Sequence, residues 1–483
     1  MNFLPGSSSA GKNIVDKAYV TNSSHFRKVV VHVTAMGLLF IMALTIRLAF
    51  LQANHSNVFM QRDAGEYLNY ARNLAYFNVF SKAPPGIAAA APDAFRSPGY
   101  PLLLSLVLRI SGEQRFLENA LTVQQVAGAL LTPLTYALGV FFLHPAAAVT
   151  AGLLTAFSPH LISVGGCMLS ETLFAFCLLA GLCAFQWAIR GTVRVLPVSA
   201  LLFGCAYLVN ETVLFLPFII AAAIRWRLNR YEDSDYRRAM KRGLRIFVLV
   251  FAIFPCVWMF RSHVLLPPVA ARGTDRAIAT LSHGAYPGFI YKTRFFMPFP
   301  YREDPQQPAF GSSMENFTRI LWQRAKAEPW RYVSWYFFEK PLYLWRWSII
   351  QGKGDAYIYP VNRRLEEISP LLGVMATTMR LLHPWLMVTA ALALPLLLFK
   401  RRTETYFPQV RQTLSPQLVL ITLLYFTLLY MVFAPWPRYS IPLRPQFYLC
   451  ATWSLAILMS MIQGLFSKHR AESSISESGP FNG

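Results

Sequence analysis

Apolar runs long enough to cross a bilayer recur along this chain, beginning with Val30 to Leu51, and short basic segments separate them. A spanning helix needs about 20 such residues, because in lipid the backbone must satisfy its own hydrogen bonds. By that test further spans run over about 119–143, 146–165, 168–189, 243–266, 376–399, 415–434 and 444–466. The stretch from Leu196 to Ile224 is too long for one helix and is interrupted by Asn210 and Glu211. Eight Lys or Arg residues fall between Arg225 and Arg245, the densest basic loop of the chain. Such loops stay on the cytoplasmic side, which requires two short helices hinged near Asn210.

The result is an all-α polytopic membrane protein of about ten spans with both termini inside. Arg190 and Arg194, the Arg225–Arg245 loop, Lys400 to Arg402, and Lys468 with Arg470 then share the cytoplasmic side. Lys12, Lys17, Arg27 and Lys28 precede the first span, whose apolar run is too long for a cleaved leader. Composition agrees: 55% apolar and 14% charged residues leave too little polar surface for a soluble domain. The net charge of +22 would suit nucleic acid, but its cations cluster between apolar runs, as positive-inside topology requires. The six cysteines sit in or beside apolar stretches with neither metal-like spacing nor a pairing pattern.

Five regions follow: a cytoplasmic segment 1–29, a core 30–266 with an outer loop 52–118, a large outer region 267–375, C-terminal spans 376–466, and a disordered tail 467–483. In the outer loop the run from Tyr100 to Ile110 is too short to cross and belongs in the interface as a juxtamembrane helix. In the second outer region, WRYVSWYFFEKPLYLWRW alternates aromatics with charges, which suits the boundary of water and lipid.

The ionisable residues at the outer ends of the spans are the candidates for chemistry. In RDAGEYLNYARNL a helix places Asp63, Glu66, Tyr67 and Tyr70 on neighbouring faces. Asp63 there suits a general base towards an acceptor hydroxyl, or equally an acid compensating a helix dipole. Arg96, before a Pro-Gly turn, suits a phosphate or a snorkelling role at the interface. Glu171 opens a span at the outer side, where it either meets water or pairs with Asp63. Two such acids can divide base and orienting roles, or share a divalent metal. Asn210 and Glu211 either line the same cavity or form a simple turn. Arg438 and Arg444 lie in an outer turn against positive-inside expectation, and an anionic lipid phosphate is the simplest reason. His160, His263 and His283 share no metal-ligand spacing.

Four segments together resemble a family. They are Asp63 with Tyr67, Ala71 and Leu74; RSPGYPLLLSLVL; SPHLIS followed by LSETLFAFCLL; and PRYSIPLRPQFYLCA. Their order resembles the GT-C class of polytopic glycosyltransferases that use polyprenyl-phosphate sugars, including the aminoarabinose transferases and protein O-mannosyltransferases. The resemblance implies a GT-C-like helical bundle enclosing a cavity open to lipid and to the outer aqueous phase. By position Asp63 matches the acid that activates the acceptor, and Glu171 the second acid of the cavity. Arg96, Tyr67, Glu66, Arg438 and Tyr439 fall in segments that in relatives contact substrate. Relatives often carry Lys or Arg where this chain has Asn210 and Glu211, a departure from the pattern. The expected partners are a polyprenyl-phosphate-linked sugar donor, a lipid, glycan or protein acceptor, and membrane lipids, with no nucleic acid. No soluble cofactor is implied, and a divalent metal through Asp63 and Glu171 is left open. The expected location is a bacterial inner membrane with the site on the periplasmic face. The rival from another class is a flippase or transporter of polyprenyl-linked lipid, which requires charged residues along a path through the bilayer.

Overall fold

A computed structural model describes residues 9–54, 63–86, 90–229, 233–289, 299–347, 363–398 and 415–477. Residues 1–8, the Lys400–Arg402 cluster and residues 478–483 lie outside them. The described residues are helical throughout, with one isolated bridge between Ala94 and Arg272. The first helices are α1 (Ser9–Ala53), α2 (Asp63–Phe77), α3 (Gly99–Gly139), α4 (Pro145–Ala156) and α5 (Pro159–Gly165). They continue as α6 (Glu171–Ile189), α7 (Leu196–Val209), α8 (Leu216–Leu228), α9 (Ser234–Phe260) and α10 (Gly273–Gly284).

Among the described residues five helices are long and apolar enough to cross a membrane, or six if the bent pair α4–α5 counts as one span. The ten-span expectation is therefore met only in part. Its two halves around Asn210 are real but short, 14 and 13 residues, and Pro416–Val432 is also short. The remaining difference lies at α3, where the expected span 119–143 carries Gln124, Gln125, Thr132, Pro133 and Thr135 and is not among the five.

Three breaks interrupt the helices. Gly112 has φ +68°, a left-handed conformation that glycine adopts without steric cost. It ends the helix expected over Tyr100–Ile110, here starting at Gly99, before the long helix that follows. Between α4 and α5 the axis bends by 45° before Pro159, whose ring cannot continue the hydrogen-bond ladder. Asn210 is extended, and its side chain accepts from the Thr212 amide, starting a 3-10 turn Glu211–Val213.

Helix α3 packs on α1, α4 and α6, α6 on α7, and α7 on α9, around one apolar core. A separate aromatic cluster, including Phe289, Phe299, Tyr301, Trp335 and Trp436, organises the region that follows α9. Residues 467–477, expected to be disordered, continue the helix Arg444–Glu477, since no Gly or Pro interrupts them after Gly464.

Candidate active site

Helix α2 begins at Asp63, so Asp63 and Glu66 both stand in its first turn, where negative charge favours the dipole. The same turn faces Arg96. The Arg96 Nη2 donates to Asp63 Oδ1 at 2.7 Å and its Nε to Glu66 Oε2 at 2.7 Å. From the far end of the chain Arg438 donates to the other Asp63 oxygen, Oδ2. The Arg438 Nε also lies 3.3 Å from Glu171 Oε1. Three acids and two arginines thus form one network, with Asp63 gripped from both sides. Its side chain remains 23% exposed, against 8% for Glu171.

Local chemistry explains why these side chains meet. The chain reverses over Gly165 to Ser170 before α6 starts at Glu171. That reversal is held by Gln124, whose Nε2 donates to the carbonyls of Gly165 (3.1 Å) and Cys167 (2.6 Å), while its Oε1 accepts from Tyr100 (2.6 Å). Tyr67 adds a second tie: its hydroxyl donates to Ser170 Oγ at 3.2 Å and its ring meets Tyr100 edge-on at 4.8 Å. The 3-10 turn Pro437–Leu443 presents Arg438 and Tyr439, and the Tyr439 ring stacks on Tyr430 at 5.0 Å.

Asp63, Tyr67, Arg96, Glu171, Arg438 and Tyr439 line a single cavity of about 370 Å³. Glu66, expected to touch substrate, is not on its wall; its carboxylate accepts from Arg96. Tyr67 is buried with its hydroxyl engaged, and so it scaffolds the wall. Arg444 lies away from the cavity, buried among His383, Ser440 and Arg346. The Asn210 break does line the cavity.

One cavity pair joins Glu211, already a candidate from the sequence, to a residue that sequence reasoning missed. Arg276 on α10 bonds Glu211 at 2.5 Å, and Gly273 leaves room for it, since a Cβ there would stand 3.0 Å from the carboxylate. The region holding Arg276 lacks periodicity long enough to place it, although the Asp275-Arg276 step opens a recognisable amphipathic turn. Neighbouring Arg272 spends its guanidinium on the carbonyls of Ser262, Pro267 and Pro268.

Burial alone would raise the Asp63 carboxyl, but the charges and hydrogen bonds of Arg438 and Arg96 hold it well below the usual carboxylate range. Asp63 and Glu171 do not fit a shared metal. The Arg438 guanidinium contacts both, so it takes the position between them that a shared cation would need. Among the described residues no three His, Cys, Asp or Glu side chains are grouped to hold a metal ion.

The oligosaccharyltransferase of Archaeoglobus fulgidus, in complex with zinc and sulfate, superposes with a TM-score of 0.49 at 13% identity, covering 90% of this chain and 51% of its own. The same organism's AglB oligosaccharyltransferase, in complex with an inhibitory peptide and a dolichol-phosphate, gives 0.48 at 13%, covering 94% and 53%. ArnT of Cupriavidus metallidurans in the apo state gives 0.38 at 13%, covering 89% and 77%. The chain thus spans about half the length of the archaeal enzymes it matches. No curated protein matches the sequence. A family model described as dolichyl-phosphate-mannose-protein mannosyltransferase matches residues 95–259. Over that region, which holds Arg96, Glu171 and the Asn210 break, the chain is therefore similar to the dolichyl-phosphate-mannose-protein mannosyltransferases, in keeping with the GT-C resemblance of its sequence.

Proposed function

We propose that this protein is a membrane glycosyltransferase that moves one sugar from a polyprenyl-phosphate carrier to an acceptor hydroxyl at the outer face of a bacterial inner membrane. The observation that carries this reading is the carboxylate of Asp63 set between Arg96 and Arg438 on the wall of one cavity. The family match over residues 95–259 supports the substrate class. The cavity also offers an apolar wall suited to an isoprenoid, formed by Leu214, Phe215, Trp258, Met259, Leu429 and Phe433.

In the reaction the acceptor oxygen attacks the anomeric carbon, its proton passes to Asp63, and the bond from that carbon to the phosphate oxygen breaks. The polyprenyl phosphate leaves with the electron pair, and the anomeric configuration inverts. A positioned base contributes about 10²- to 10⁴-fold. Arg96 and Arg438 stabilise the charge on the leaving phosphate, and removal of one such donor costs about 10²- to 10³-fold.

The resting pairing gives the order of events. An acid held this low is a weak base, so Asp63 cannot serve until its cations are engaged elsewhere. A donor phosphate at Arg96 and Arg438 draws their charge away and lets the Asp63 carboxyl rise towards its ordinary value. Donor binding therefore precedes activation of the acceptor.

Thermal unfolding in detergent with polyprenyl monophosphate or uncharged polyprenol tests the phosphate site. The phosphate should raise Tm, polyprenol should do so far less, and Arg96→Ala and Arg438→Ala should each abolish the difference. Equal stabilisation by the two lipids would remove the phosphate from the reading. A flippase is tested alongside, since it would translocate labelled polyprenyl-phosphate sugar across a sealed vesicle without forming a glycosidic product.

A further inference from the structure

Arg96 sits at the end of a return loop, and the side chain three residues before it is a buried acid outside the cavity that accepts three hydrogen bonds. Asp93 is 6% exposed and does not line the cavity. Its Oδ1 accepts from the hydroxyl of fully buried Tyr70 on α2 and from the Phe95 amide at 3.0 Å. Its Oδ2 accepts from the Lys82 amide at 2.8 Å. The Asp93 backbone is fixed as well: its amide donates to the Phe80 carbonyl at 3.0 Å and its carbonyl accepts from Arg261 at 2.9 Å. One residue on, the Ala94 amide donates to the Ala271 carbonyl at 2.8 Å, just before α10 begins.

We propose that Asp93 is a positioning residue whose clasp of Tyr70, Lys82 and Phe95 sets the Arg96 guanidinium at the donor-phosphate site. This rests on the glycosyltransferase reading for the identity of the anion, and on geometry alone for the clasp. A carboxylate is required because all three side-chain contacts are donors. An amide at position 93 would turn its NH2 towards either the Lys82 N–H or the Phe95 N–H, neither of which can accept. A buried donor left facing a donor loses its bond and its solvation together, so the loop shifts to relieve it. An Arg96 displaced by about 1 Å loses the bidentate geometry that phosphate recognition needs.

The test uses full-length protein with Asp93→Asn, and with Tyr70→Phe as the milder variant that removes one oxygen. Equilibrium binding of radiolabelled polyprenyl monophosphate should show Kd raised at least tenfold in Asp93→Asn and severalfold in Tyr70→Phe, with the number of binding sites unchanged. A loop that serves only folding would reduce the number of sites and leave Kd alone, which would overturn the proposal. The second arm needs no ligand: thermal unfolding of Tyr70→Phe, Arg96→Ala and the double variant. Non-additive shifts in Tm are expected, because both changes act on the same guanidinium, and strict additivity would overturn the proposal. If the wild type binds no polyprenyl phosphate the glycosyltransferase reading fails, while the unfolding cycle still decides the role of Asp93.

Discussion

At the scale of single residues the account turns on the charge state of Asp63. A carboxyl whose folded pKa is depressed stabilises the fold above its unfolded value, here 3.8, and loses that contribution as pH falls through the folded value. The Tm gap between wild type and Asp63→Asn should therefore be full at about pH 6 and narrow as the pH falls below about 4. A gap independent of pH would mean that the two arginines do not hold the acid. The residues of this network were legible one at a time, since an acid or arginine at the outer end of an apolar run is costly without a role. The bonds between them were not. Arg438 lies 375 residues from Asp63, and nothing local tells that its guanidinium joins Asp63 to Glu171. Glu66 and Tyr67 share a helical turn with Asp63, but spacing alone cannot say that one grips an arginine and the other a serine.

At the scale of elements two contacts carry testable consequences. Lys340 is buried at the C-terminal end of the helix Ser415–Val432. Its Nζ donates to the carbonyls of Met431 (2.8 Å), Val432 (3.2 Å) and Phe433 (3.2 Å). Those carbonyls have no helical partner, and a cation suits that end of the dipole. Lys340→Met keeps the length and strands the carbonyls, so unfolding should show a loss of about 1–3 kcal/mol. An unchanged Tm would show that water or a neighbour satisfies them as well. Gly99 starts α3 where a Cβ would stand 2.9 Å from the backbone of Leu208. Gly99→Val must push α3 off α7, at about 1–3 kcal/mol, and because α3 follows Arg96 directly, donor affinity should fall with stability. Wild-type donor affinity in that variant would uncouple the packing from the site. The helices themselves were readable from apolar length, and the short Tyr100–Ile110 run from its failure to reach it. The bend before Pro159 needed the backbone, because it falls inside an apolar stretch, whereas the break at Gly112 is marked in the sequence only by the end of the apolar run at Ile110.

For the whole molecule, α2, the α5–α6 reversal, the Asn210 break, the end of α9, α10 and the Pro437–Leu443 turn converge on one chamber. Charge lies on the wall shared by Asp63, Arg96, Glu171 and Arg438, and apolar side chains form the wall from Leu214 to Met259. A lipid with a charged head and an apolar tail matches that division. The class of the fold was legible from composition and basic loops, because membrane insertion constrains both. The shape of the chamber was not, because it depends on connecting segments whose short helices carry little pattern. The most direct measurement is release of polyprenyl phosphate from a panel of polyprenyl-phosphate sugars in proteoliposomes, with cell-envelope lipid as acceptor. Wild type should transfer sugar from one of them, whereas Asp63→Asn, inserted at the same level and still binding polyprenyl phosphate, should be slower by at least about 10²-fold. Transfer by Asp63→Asn at the wild-type rate would contradict the account.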